Sequence, residues 1–81
     1  MIDLLQAPCG LVLRVVDIAG GEKVRRRLFS LGLHPGDRVE CVSRGILGGP
    51  LIIRPGENGS TIALGRGIAR KIIVEIVHEE S

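Results

Sequence analysis

The chain contains no tryptophan, no tyrosine and a single phenylalanine, and that scarcity removes several functions at once. Proline-rich peptides are recognised in grooves lined by aromatic rings. Single-stranded nucleic acid is held by stacking its bases on aromatic platforms. Neither surface can be assembled here, and the core has to be built from Val, Ile and Leu. Charge of one sign is also scarce: 11 basic and 9 acidic residues leave a net +2, far short of the basic footprint of a nucleic-acid binder. The tightest basic cluster, Arg25-Arg26-Arg27, sits in a helical pattern, where successive residues point about 100° apart and cannot share one face. No apolar run approaches the roughly 20 residues that span a bilayer, and the first residues carry Asp3 and no basic stretch of the kind that opens an export signal. The expected location is the cytoplasm, without direct membrane insertion.

Cysteine is limited to Cys9 and Cys41, far apart in sequence, and this matches neither a secreted disulfide framework nor a paired-cysteine metal knuckle. Both are expected to be small buried hydrophobes. The remaining soft donors, His34 and His78, share no short ligand spacing with them or with each other, whereas zinc sites use closely paired ligands. Binding of Fe(II) or Zn(II) therefore has no support in the spacing, and no cofactor is expected. No nucleophile stands beside a base or a second carboxylate in any recognisable pattern. The glycine stretches Gly48-Gly49-Pro50 and Gly65-Arg66-Gly67 lack the Lys-Ser/Thr ending of a phosphate loop and are explained by turn geometry.

What is present is an 81-residue chain, 44% hydrophobic and 25% charged, which is the composition of one globular domain over residues 1–81 with one modest core. Its organising stretch is 25–37. Val24, Leu28 and Leu31 fall at i, i+4 and i+7 and make an apolar helical stripe, predicting a helix over about 21–31. Gly32 can supply the left-handed residue that stops it, with Leu33 folding back onto Leu28 in a Schellman-type cap. His34-Pro35-Gly36-Asp37 then has Pro and Gly where a type II turn needs them.

Around this helix the pattern is one of short strands. Residues 3–9 are expected to form a lead-in turn beneath the first strand, 10–18. Residues 38–44 alternate, with Val39, Cys41 and Ser43 on one side. A glycine-rich loop over 45–50 carries Ile46 and Leu47 at its tip, and 51–54 is a short strand. Asn58-Gly59 suits a tight hairpin turn, 60–64 alternates again, 66–70 can hold one helical turn, and 71–78 is the final strand, with Glu79-Glu80 as a solvated tail. Five short strands with one inserted helix and a short helical turn before the last strand predict a mainly β fold, a small, partly open antiparallel barrel. An exposed strand edge in so small a barrel allows weak homo-oligomer formation by edge pairing.

Two surfaces stand out as candidates for binding a protein partner. One is the helix face with Arg25, Arg26 and Phe29. The other is the loop formed by Ile46, Leu47, Gly48, Gly49 and Pro50, whose apolar tip is costly unless something covers it.

The run from Arg27 to Gly36, RLFSLGLHPG, resembles the "RL..LG...G" signature of the FeoA family, small accessory proteins of bacterial ferrous iron transport. The likeness continues at Gly49-Pro50 and through IALGRGIARKIIVE, where Leu64, Ala69, Ile72 and Val74 fit the family's "ALR…A..I.V" spacing. Gly65 stands where an arginine is usual, with Arg66 one place on. The resemblance implies an SH3-like barrel and no enzymatic activity. It also implies a role as adaptor that binds and modulates the FeoB-type membrane GTPase and permease, peripheral at the inner membrane through that partner. Related barrels form the C-terminal domain of iron-dependent repressors, so a free-standing metal-sensing or regulatory domain is the alternative, although the chain lacks the winged-helix and dimerisation segments of such repressors.

Overall fold

The computed structural model describes residues 1–56 and 59–78. Its strands are β1 (Ile2–Asp3), β2 (Val12–Ile18), β3 (Arg38–Ser43), β4 (Leu51–Pro55), β5 (Ile62–Leu64) and β6 (Ile72–Ile76). Helix α1 (Glu22–Ser30) lies between β2 and β3, and the short α2 (Arg66–Ala69) precedes β6. All pairings are antiparallel, in one sheet of order β1-β6-β2-β3-β4-β5. Among the described residues β1 and β5 do not pair, so the barrel stays unclosed. The expected mainly β barrel with two helices is therefore present, with one strand more than the five expected. The expected Asn58-Gly59 turn and the Glu79-Glu80 tail include positions outside the described residues.

The additional strand lies in the segment expected to be only a turn. Ile2 and Asp3 pair with Val74 and Ile73, after which Gln6 N–H donates to Asp3 O and Ala7 N–H to Leu4 O. That turn sends Leu4 and Ala7 fully into the core, which anchors the start of the chain beneath the sheet.

β2 is the central strand, paired with β6 on one side and β3 on the other. Strict alternation would carry Leu13 and Val15 inward and leave Ile18 facing out. A register shift against β6 between Val15 and Asp17 makes Val16 an extra residue, and this bulge reverses the parity. Leu13, Val15 and Ile18 are all buried as a result. A second shift between Cys41 and Ser43 in β3 has the opposite effect on the sequence-based expectation. Val39 and Cys41 point into the core, but Ser43 does not share their face and is exposed.

The core is a single aliphatic cluster that includes Leu28 of α1, Leu33, Leu51, Ile53, Leu64, Ile72 and Val74. No polar or charged residue is buried among the described residues. The expected helix stop is seen in full. Leu33 N–H donates to Leu28 O at 2.9 Å and Gly32 N–H to Phe29 O at 3.0 Å, with Gly32 at φ +88°. These are the two crossed bonds of a Schellman motif, and both Leu28 and Leu33 are buried. Leu31, expected in the apolar stripe, is instead 39% exposed. It is the C-terminal capping residue, where the chain leaves the helical screw and the i+7 relation no longer aims a side chain at the core. The type II turn also forms, with Asp37 N–H bonded to His34 O at 3.0 Å and Gly36 at φ +95°.

Two glycines test this account with opposite signs. A Cβ at Gly32 would meet no atom within 4 Å, so Gly32→Ala isolates the backbone cost of the left-handed conformation, about 1–2 kcal/mol. A Cβ at Gly67 in α2 is equally unobstructed, at an ordinary backbone angle, so Gly67→Ala is expected to stabilise by about 0.4–1 kcal/mol. Thermal melts of the two variants should shift in opposite directions.

Candidate partner-binding surface

The loop over 45–50 is built by glycine. A Cβ placed on Gly45 would lie 2.3 Å from the Gly49 carbonyl carbon and 2.4 Å from its oxygen, so the two ends of the loop touch backbone to backbone and only glycine fits. Between them Leu47 takes φ +56°, ψ +41° and Gly48 φ +81°. A left-handed leucine costs roughly 1–2 kcal/mol relative to the right-handed region. Its side chain recovers none of that through packing, since Leu47 is 100% exposed. Of the loop residues expected to bind a partner, Ile46 opens the tight turn Ile46–Gly48, Gly48 and Pro50 are exposed, and Gly49 is half-buried against Gly45.

On α1, Arg25 pairs with Asp17 of β2 at 3.4 Å and Arg26 with Glu22 at 3.9 Å. Both pairs are solvent-exposed, and such contacts add little stability. Phe29 is 37% exposed and stacks on His34, ring centroids 4.9 Å apart. His34 Nδ1 lies 3.0 Å from Asp37 Oδ2, and the same oxygen accepts the His34 N–H at 3.0 Å. The helix stop thus folds an aromatic pair onto the end of α1, which sequence spacing alone does not reveal.

Next to this end lies a shallow groove of about 490 Å³ between Leu31, Gly32, Asp37 and Arg38 on one side and Pro55, Gly56, Gly59, Ser60 and Ile62 on the other. The sequence carries no signal for this groove, because it forms between the helix stop and the connection from β4 to β5, which are distant in the chain. The two predicted surfaces are not brought together. The helix end and its turn enter β3 at Arg38, the loop leaves β3 after Ser43, and a strand of that length separates them by roughly 17 Å.

Cys9 and Cys41 correct the sequence-based expectation in two respects. Cys9 is exposed, not buried. The pair is also adjacent despite lying 32 residues apart, with Sγ to Sγ at 2.8 Å. Gly10 at φ +86° turns the chain here, and its N–H donates to Cys41 O at 3.1 Å. Burial, followed by the contact with the Cys9 thiol, pushes the Cys41 thiol up from 9.0 to about 11. Among the described residues no three His, Cys, Asp or Glu side chains group as metal ligands would.

A family model, the FeoA domain, matches residues 2–76. The chain belongs to the FeoA family. It is 39% identical over 61 residues to a Methanocaldococcus jannaschii protein named as an Fe(2+) transport protein A, covering 75% of this chain and 70% of that one. The crystal structure of a FeoA described as an iron uptake regulatory protein superposes with a TM-score of 0.81 at 32% identity, over 94% of this chain and 96% of that one. At the level of fold alone, the zinc complex of Stenotrophomonas maltophilia FeoA, described as a prokaryotic SH3 domain protein, matches with a TM-score of 0.75 at 24% identity, over 93% and 91% of the two chains. A manganese-dependent transcriptional repressor contains the same fold, with a TM-score of 0.84 at 22% identity over 94% of this chain and 36% of its own. The SH3-like barrel and the link to ferrous iron transport read from the RLFSLGLHPG run are thus both supported by relatives of this FeoA chain.

The glycine contact generates the test of the loop. Gly45→Ala is expected to push 45–50 out of its present course and leave the barrel folded, at a cost of about 1–3 kcal/mol. Amide chemical shifts should change over 44–51 and not in β2 or β6.

Proposed function

We propose that this protein is a non-enzymatic accessory module of ferrous iron transport that binds the cytosolic, GTP-hydrolysing part of a FeoB-type permease, with Leu47 as the central anchor. The observation that carries this reading is the leucine itself. A fully exposed aliphatic side chain on a left-handed residue contributes nothing to the fold and is held up by a loop that only glycine at 45 permits. Strained backbone of this kind persists where function requires it, and an apolar knob becomes favourable when a partner pocket desolvates it. The arginines of α1 supply a second, charged contact, which steers encounter more than it strengthens the bound state. Membership of the FeoA family makes a transport component the natural partner.

The alternative, a free-standing metal-sensing domain, has its support in the fold shared with the repressor, and a likeness at 22% identity speaks to architecture only. No arrangement of ligands in the described residues adds to it.

The test is a calorimetric titration of the protein into the soluble GTPase region of the cognate permease, with Fe(II) in a parallel run. Leu47→Gly removes the side chain and relaxes the left-handed backbone, so its melting temperature should be unchanged or higher, within about 1 kcal/mol. Its affinity should fall by roughly 30-fold, the loss typical of a hot spot. Reversing Arg25 and Arg26 to Glu should slow association and weaken its salt dependence. Undiminished binding by both variants would remove this assignment. Saturable Fe(II) binding without any binding to the GTPase region would favour the sensor.

A further inference from the structure

The paired cysteines have no part in the partner reading, and their placement is more deliberate than packing requires. The segment on either side of Cys9 is fastened to the region around Cys41 twice. Gly10 N–H donates to Cys41 O, and the Arg44 guanidinium donates to Ala7 O. Leu4 and Ala7 hold the preceding turn in the core. Between these fastenings the sulfurs sit at 2.8 Å, inside the roughly 3.5–4.0 Å at which even smaller non-bonded carbon atoms rest. A disulfide needs them only about 0.8 Å closer.

We propose that Cys9 and Cys41 are an oxidation site that closes to an intramolecular disulfide on reaction with a hydroperoxide, clamping the N-terminal turn to β3 just before the Leu47 loop. The exposure of Cys9 and the burial of Cys41 divide the roles. With hydrogen peroxide, Cys9 Sγ attacks one peroxide oxygen, the O–O bond breaks, the Cys9 proton goes to the leaving oxygen, and the products are the Cys9 sulfenic acid and one water. Cys41 Sγ then attacks Cys9 Sγ. The S–S bond forms, the S–O bond breaks, and hydroxide leaves with the Cys41 proton as a second water. Two electrons pass from the two thiols to the peroxide. Burial holds the proton on Cys41 and makes it a poor nucleophile toward a peroxide in solution, so the exposed Cys9 meets the oxidant, and Cys41 reacts only through its contact with Cys9 Sγ, giving up its proton in that step.

A metal bridge is the competing use of two thiols. Zinc holds each sulfur at about 2.3 Å in a tetrahedron, which would force this pair apart. The described residues group no third protein ligand beside it.

The test uses the full chain, reduced and then treated with one equivalent of hydrogen peroxide, quenched, and alkylated in denaturant for intact mass analysis. The expected product is a monomer with no alkylatable thiol, lighter than the reduced protein by two hydrogen atoms and restored by dithiothreitol. Because the bond closes a loop between residues 32 apart, the oxidised form should melt at least ~5 °C higher. Cys9→Ser, a change at an exposed position, should keep the fold and lose both effects, and Cys41→Ala is the independent second variant. Thiols that remain alkylatable, sulfinic acid, chain-to-chain disulfides, or a disulfide without a higher melting temperature would each overturn the proposal. Protection of both reduced thiols by one equivalent of Zn(II), with no reaction toward peroxide, would overturn it in favour of a metal site.

Discussion

The fold depends on the central strand β2 delivering three aliphatic side chains to one side of a sheet. With one phenylalanine and no larger aromatic available, the core has no bulky side chain with which to fill a missed position. Each of Leu13, Val15 and Ile18 therefore has to point inward, and the bulge at Val16 is the device that allows it. The same bulge increases the local twist of the strand, which bends β2 between its partners β6 and β3 and starts the curl of the barrel. Helix α1 then needs to close only one side of the cluster, and a single buried residue, Leu28, with Leu33 behind it, is enough.

Much of this was legible in the sequence because the signals were local. Gly32 followed by Leu33 and the His34-Pro35-Gly36-Asp37 turn act within a few residues, and their hydrogen bonds form as expected. The bulges were not legible. Alternation in RVVDI reads as a simple strand, and the parity change at Val16 is decided by pairing with β6, more than fifty residues later in the chain. The same holds for Ser43, which alternation placed with Cys41 and the second bulge moved to solvent. The strand at Ile2–Asp3 was missed because two residues carry no periodicity. It exists only because β6 offers it an edge.

The candidate site divides in the same way. An apolar tip on a glycine loop was visible at Leu47, but the reason for the glycine at 45, a backbone contact with Gly49, is a property of the closed loop. The stacking of Phe29 on His34 and the meeting of Cys9 with Cys41 arise from chain reversals that bring together residues with no common spacing. Sequence distance argued against the cysteine pair, and three-dimensional closure at Gly10 overrode it.

Among the described residues the sheet ends in strands of only two and three residues, β1 and β5. Edges so short give the edge pairing expected from the sequence few backbone groups to use. Any recognition by this barrel then falls to side chains standing outside the core and not to the main chain, which is the same in every protein. Within 45–50 the glycine at 45 is fixed by its backbone contact with Gly49, whereas the fully exposed Leu47 side chain can be changed without disturbing the aliphatic interior that defines the barrel.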